Sequence, residues 1–70
     1  MKNKLNKVAG YRVMIGLNQT EMGEILGISK QGYSNKERGV NKFNDSEKKK
    51  FKEYISNFLP NISIDDIFFS

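Results

Sequence analysis

Three glycines divide the first half of the chain into short segments and so limit the folds open to it. Gly16, Gly27 and Gly39 each follow a stretch in which apolar residues recur with the period of a helix. The residue just after a helix often adopts a positive φ, which glycine tolerates because it has no Cβ. The spacing therefore predicts a series of short helices, each ended by a glycine.

Capping residues indicate where the second and third of these helices begin. Asn18 and Ser29 stand directly before them, and each side-chain oxygen can accept a hydrogen bond from a backbone N–H of the first turn. Around each cap, a pair of apolar residues can pack together as a hydrophobic staple. The staple pairs are Leu17 with Met22 and Ile28 with Tyr33. The connection between the two helices is therefore about three residues long and is centred on Gly27.

The second half of the chain predicts two further helices. Asn44 suits the start of a helix over 45–59, which Pro60 stops because proline has no backbone N–H. Ser63 then caps a last short helix over about 64–69. We expect an all-α fold of five helices. The apolar residues of the 45–59 helix fall along one face and are Phe51, Tyr54, Ile55, Phe58 and Leu59.

A single domain over residues 1–70 has to hold together by apolar packing, because the chain has neither Cys nor His. Those residues would be needed for a disulfide or for the usual structural zinc site. Together with the lack of a Gly-rich phosphate loop, this argues against an enzyme, a metal site or a bound cofactor. No apolar run approaches the roughly 20 residues of a membrane span, so we expect no membrane partner and a cytoplasmic location in a bacterial host cell.

Positive charge is concentrated in the first part of the chain. Residues 1–43 carry eight Lys and Arg against three Asp and Glu, whereas residues 44–70 carry four against five. Such asymmetry is typical of a protein that binds a polyanion, most commonly nucleic acid, although a merely basic surface fits it equally well. For the run Lys48–Lys50, on the polar side of the predicted 45–59 helix, a solvated face is a better interpretation than a nucleic-acid patch.

Residues 19–38 resemble, position by position, the helix-turn-helix of the Cro/cI-type family, also called the XRE family. The resemblance extends over about residues 5–68 and implies a five-helix, lambda-repressor-like DNA-binding domain with the helix-turn-helix at its second and third helices. The short chain also resembles the Cro-like and modulator-of-repression proteins of temperate phages. The matching residues of the motif are Gln19, Glu21, Met22, Leu26, Gly27, Ile28, Ser29, Tyr33, Ser34, Glu37, Arg38 and Gly39.

The resemblance implies a set of DNA contacts. In such a motif the second helix, here 30–37, lies in the major groove, and its first turns face the base edges. Asn and Gln can pair with adenine and Lys can donate to guanine, whereas phosphate contacts only position the protein. The implied base contacts are Lys30, Gln31, Ser34 and Asn35, with the cap Ser29 beside them, and the implied phosphate contacts are Gln19, Arg38 and Lys42.

The resemblance also implies structural roles for four residues. Arg12 on the first helix pairs with Glu37 at the end of the third and so ties the two helices together. Tyr33 lies in the core, and Gly27 makes the turn between the second and third helices.

Three positions depart from the usual pattern of the family. Gly23 stands where an alanine is common, and Gly32 loosens the first turn of the third helix. Lys36 stands where an apolar residue is usually buried, so we expect its stem to pack against the core and its ammonium to reach water. Together these departures weaken the third helix and its seating, which favours a second hypothesis beside DNA binding.

Two functions therefore stay open. One is a Cro-like regulator that binds double-stranded operator DNA as a homodimer; the other is a modulator or antirepressor that binds the helix-turn-helix domain of a phage repressor and alters its DNA binding. Phe68 and Phe69 are the candidate interface for a homodimer or for such a partner. Alternatively, Phe68 completes the core and Phe69 is a single exposed residue. An antitoxin is a third possibility, but no added segment is present to cover a toxin.

Overall fold

Five α-helices make up residues 6–69, the part of the chain that the computed structural model describes. They are α1 (Lys7–Met14), α2 (Gln19–Leu26), α3 (Lys30–Glu37), α4 (Asp45–Ser56) and α5 (Ile64–Phe68). Residues 6–69 contain no β-strand, so the prediction of an all-α fold is confirmed. None of these helices is long and apolar enough to cross a membrane.

Local capping defines the helix ends where the sequence predicts them. Asn18, Ser29, Asn44 and Ser63 each accept a hydrogen bond from the backbone N–H three residues later. At all of these caps except Ser29, an acidic side chain three positions on also accepts from the N–H of the cap, which completes a capping box. The glycines after α1, α2 and α3 adopt φ angles from 80° to 86°, which end the helices as expected.

α4 and α5 are shorter than the predicted ranges 45–59 and 64–69. After α4, the next two backbone N–H groups donate to carbonyls only three residues back, so the chain tightens into a turn before Pro60. Phe69 has an extended backbone, with φ of −127° and ψ of 134°, and therefore lies outside α5.

The core contains one aromatic residue that helical periodicity did not predict. Phe43 lies between α3 and α4, and its ring centroid is 6.0 Å from that of Tyr33 and 6.3 Å from that of Phe51. It also lies 5.3 Å from the ring centroid of Phe68, and all three contacts are edge-to-face. Phe43 therefore anchors the connection that follows α3. The buried apolar side chains are Met22, Leu26, Tyr33, Phe43, Phe51, Ile55 and Ile67.

One member of the predicted apolar face of α4 lies at the surface. Phe58 is 53% exposed and packs against Tyr54, with the ring centroids 5.9 Å apart. The helix has already ended at Ser56, so helical spacing no longer directs the Phe58 side chain toward the core.

Each of the five helices packs against at least one other helix. α2 packs mainly against α3 and also contacts α4, while α5 contacts both α4 and α1. α1 lies at the edge of the core, where Val8, Tyr11 and Ile15 pack against the buried residues. α3 therefore has one face against α2 and the core, and an opposite face open to solvent.

Candidate functional site

α2 and α3 are joined by a turn over Gly27–Ser29 in which the backbones come close together. Gly27 adopts a φ of 80°, and the N–H of Ile28 donates to the carbonyl of Gly23 at 2.8 Å. A Cβ at Gly23 would lie 3.0 Å from the carbonyl oxygen of Ile28 and 3.3 Å from that of Ser29. A side chain at position 23 would therefore press on the backbone of the turn, so a small residue suits this position.

The outer face of α3 carries the side chains expected to contact base edges. Lys30 and Gln31 are exposed, and Ser34 and Asn35 lie half-buried one turn later. Nε2 of Gln31 donates to Oδ1 of Asn35 at 3.0 Å, and the same oxygen accepts from Nη2 of Arg38 at 2.9 Å. These polar groups form a row along one face of the helix, which we call the α3 polar row (Lys30, Gln31, Ser34 and Asn35).

Ser29, beside this row, is the N-cap of α3. Its hydroxyl accepts from the backbone N–H of Gly32 at 3.0 Å and so caps α3. A Cβ at Gly32 would lie 3.2 Å from that hydroxyl, tighter than most Cβ contacts.

A buried carboxylate behind the polar row ties α3 to α1 and α2. Glu37 is 7% exposed and accepts hydrogen bonds from Nε of Arg12 at 2.7 Å and from the Tyr33 hydroxyl at 2.8 Å. Nε2 of Gln19 donates to the same carboxylate at 2.9 Å. The expected pair of Arg12 with Glu37 is present, and Tyr33 lies in the core as expected. We call these four residues the Glu37 cluster.

Charge in the Glu37 cluster is stabilised by its own hydrogen bonds. Burial raises the pKa of Glu37, but the hydrogen bonds from Arg12, Gln19 and Tyr33 together lower it by more than burial raises it. The pKa therefore lies below its ordinary value of 4.5. The hydrogen bond to Glu37 in turn raises the pKa of Arg12. Burial, followed by the hydrogen bond to Glu37, raises the pKa of Tyr33. At neutral pH the carboxylate is therefore ionised, and Arg12 and Tyr33 keep their protons.

The side chains expected to contact phosphate lie in different surroundings. Arg38, at the end of α3, and Lys42, in the connection to α4, are exposed. Gln19, at the start of α2, is half-buried and binds Glu37 through its amide nitrogen. Sequence reasoning missed this structural role of Gln19. Because a side-chain amide carries two N–H donors, the contact with Glu37 leaves Gln19 able to donate to a phosphate as well.

Lys36 forms an ion pair that the sequence did not predict. Its Nζ lies 2.6 Å from both carboxylate oxygens of Glu47 in the first turn of α4. The Lys36 and Glu47 side chains are 19% and 8% exposed, so the Lys36 ammonium, expected to be surrounded by water, is paired with a largely buried carboxylate. A partly buried charge is stabilised by an opposite charge beside it, because burial removes part of its hydration. A lysine at an inward position of a helix predicts an acidic partner. The sequence near Lys36 does not indicate that this partner is Glu47, which is 11 residues away.

Glu47 also caps α4. Its Oε1 accepts the backbone N–H of Asn44 at 3.0 Å, as part of the capping box. Burial raises the pKa of Glu47, but the hydrogen bonds from Lys36 and from the Asn44 backbone together lower it by more than burial raises it. The pKa therefore lies below 4.5. One ionised carboxylate therefore joins the start of α4 to the last turn of α3.

The aromatic residues at the end of α5 divide between core and surface. Phe68 is half-buried, with its ring centroid 5.5 Å from that of Phe51, whereas Phe69 is 55% exposed. Nζ of Lys48 lies 4.8 Å from the ring centroid of Phe69, a cation–π geometry. Lys48 thus packs against the residue that follows α5, whereas Lys49 and Lys50 are exposed, which both a solvated face and a nucleic-acid patch require.

No protein-family model, curated protein or solved structure matches the chain. What it does has to be inferred from its own residues. Their most distinctive arrangement is a polar helix face held from behind by two buried ion pairs, which are Arg12 with Glu37 and Lys36 with Glu47.

Proposed function

We propose that the chain is a transcriptional regulator that binds double-stranded operator DNA through α3. In this proposal the domain is lambda-repressor-like, and α2, the turn Gly27–Ser29 and α3 form its helix-turn-helix. The observation that carries the proposal is the α3 polar row, which projects from a helix with its opposite face packed on the domain. An α-helix with exposed polar first turns fits the major groove of B-DNA.

The hydrogen bonds along the polar row suit one base in particular. Oδ1 of Asn35 already accepts from Gln31 and Arg38, and these hydrogen bonds leave the Nδ2 donor of Asn35 and the Oε1 acceptor of Gln31 available to another partner. Adenine offers an acceptor at N7 and a donor at N6 in the major groove, which complement these two groups. Lys30 can donate to guanine from the same face.

The Glu37 cluster supports such recognition. Base contacts discriminate only when the side chains that make them are held within about 0.5 Å of the productive geometry. Arg12 and Gln19 hold the last turn of α3 against α1 and α2. The excess of positive charge over residues 1–43 adds long-range attraction to a polyanion.

A second candidate is a modulator that binds the helix-turn-helix domain of a phage repressor. The observation that favours it is a set of large apolar side chains that are more than half exposed. Contacts between proteins bury exposed apolar groups, and Val13 and Met14 offer two that are adjacent in the sequence. The set consists of Val13, Met14, Val40, Phe58 and Phe69.

The experiment that tests the proposal is a gel-shift titration with the DNA flanking the gene of this protein, at several salt concentrations, with and without the neighbouring repressor. DNA binding predicts a shift by this protein alone and an affinity that falls steeply with salt, because neutralised phosphates release counterions. Failure to shift alone, combined with a changed shift of the repressor, would contradict DNA binding and support the modulator.

Two substitutions distinguish base contacts from phosphate contacts. Gln31→Ala should relax the preference at one base pair, with a loss of about 1–3 kcal/mol of discrimination. Lys42→Ala should weaken binding to all sequences alike and reduce the salt slope by about one. The measurement is the affinity of each variant for operators changed at single base pairs. A uniform loss in Gln31→Ala, with all base preferences retained, would rule out a base contact by Gln31.

A further inference from the structure

α3 has little apolar surface to hold it in place. Tyr33 is its one large hydrophobic side chain among eight residues, and the other buried side chain is that of Glu37. A helix on the surface of a globular domain usually buries three to four apolar residues in every two turns. The orientation of α3 on the domain must therefore depend strongly on polar contacts.

Those polar contacts hold α3 from two directions. Glu37 binds Arg12 of α1 and Gln19 of α2, and Lys36, one residue earlier, binds Glu47 of α4. Successive residues of an α-helix point about 100° apart around its axis. A rotation of α3 about its axis would therefore lengthen at least one of the two ion pairs.

The Lys36–Glu47 contact is also well anchored at its far end. The Glu47 carboxylate is held by the N–H of Asn44 at 3.0 Å, and Nζ of Lys36 lies 2.6 Å from each of its oxygens. The carboxylate therefore cannot follow Lys36 outward without breaking its own hydrogen bond in the capping box of α4.

We propose that Lys36 and Glu47 are positioning residues for DNA recognition, because their ion pair sets the angle at which α3 presents its polar row. This inference rests on the proposed DNA-binding function of α3. It gives Glu47 an influence on sequence preference although Glu47 lies on α4 and its carboxylate contacts Lys36 rather than the polar row.

The substitution Glu47→Gln removes the ion pair with Lys36 but keeps the hydrogen bond of the α4 capping box. A glutamine oxygen can still accept the N–H of Asn44, because Gln serves in capping boxes, but the charge that neutralises Lys36 is lost. Glu21→Gln is the matched control. Glu21 occupies the same place in the capping box of α2, accepts the N–H of Asn18 at 2.9 Å and is exposed. Both substitutions remove one negative charge, so their general effect on DNA attraction is the same.

A second variant shows whether Lys36 and Glu47 act as a pair. Lys36→Met keeps a long side chain but removes the ammonium, and Lys36→Met/Glu47→Gln leaves neither charge unpaired. If the two residues act through their contact, the double variant is no more impaired than the worse single variant.

The experiment combines two measurements on the full chain, well below the unfolding temperature of each variant. The first is amide hydrogen exchange without DNA, and the second is the ratio of affinities for a duplex selected from a random pool and for random duplex. In Glu47→Gln we expect α3 amides to exchange about tenfold faster relative to α2, and the affinity ratio to fall about tenfold, within the usual range of coupling between neighbouring groups. Glu21→Gln should change neither quantity.

The outcomes separate this inference from the proposed function. A wild-type protein without sequence preference would contradict DNA recognition, while the exchange data would still show whether the ion pair positions α3. A wild-type preference that survives in Glu47→Gln would overturn the positioning role, whether or not α3 exchange changes. Additive losses in the double variant would overturn the claim that the two residues act as a pair.

Discussion

Glu37 and Glu47 are the buried acidic side chains of residues 6–69, and each neutralises a cation on a different helix. Every buried side-chain nitrogen and oxygen in the described part of the chain has a hydrogen-bond partner. Loss of one carboxylate would therefore leave a charged group in poor contact with water, which costs more than the loss of a surface ion pair.

Glu37→Gln should strongly destabilise the domain. The substitution keeps the size of the side chain but leaves the Arg12 guanidinium without its counter-charge, and we expect the free energy of unfolding to fall by about 3–5 kcal/mol. Urea unfolding followed by circular dichroism measures this. The control is Glu24→Gln, an exposed position on α2 that should change the stability by less than about 0.5 kcal/mol. Equal stabilities of the two variants would show that the Glu37 cluster contributes nothing.

At the scale of elements, capping explains why the starts of α2 to α5 agree with the sequence. Each cap and the N–H that it accepts are three residues apart, so no distant partner is needed. The end of α4 follows a different rule. Apolar spacing continued to Leu59, but the helix tightens into a turn after Ser56, and spacing alone does not predict where a helix ends before a proline.

Gly10 and Gly23 offer a matched test of helix packing. Alanine at either position gains about 0.5–1 kcal/mol of helix propensity. A Cβ at Gly10 in α1 meets nothing within 4 Å, so Gly10→Ala should stabilise the domain by that amount. A Cβ at Gly23 would press on the Ile28 carbonyl at 3.0 Å, and such overpacking costs about 1–3 kcal/mol, so Gly23→Ala should be destabilising. Urea unfolding of both variants decides; equal stabilisation would mean that α2 and the turn move apart easily.

At the scale of the whole molecule, the depressed pKa values of Glu37 and Glu47 predict acid sensitivity. Both carboxyls have pKa values below 4.5 in the folded chain, so the unfolded chain takes up protons first as the pH falls. The stabilisation that these groups provide is complete above about pH 5 and is lost as the pH falls through the folded-state values. The chain has no His, so we expect a flat profile between about pH 5 and 7.

Urea unfolding at a series of pH values tests this expectation. The free energy of unfolding should decline below about pH 4.5 in the wild type. In Glu47→Gln the decline should be shallower, because one of the two carboxyls no longer titrates. A decline that begins near neutral pH, or an equal slope in the variant, would contradict the roles of these carboxyls.

The sequence by itself determined the all-α class, the helix starts, the glycine turns and the outer face of α3, because each depends on residues within about one helical turn of each other. Only the tertiary structure decided two of the polar contacts inside. Lys36 and Glu47 are 11 residues apart, and Gln19 and Glu37 are 18 apart. A buried charge requires an opposite charge, but several acids would satisfy that need equally well. The angles at which the helices pack select Glu47 for Lys36 and Glu37 for Gln19, and no local pattern in the chain encodes those angles.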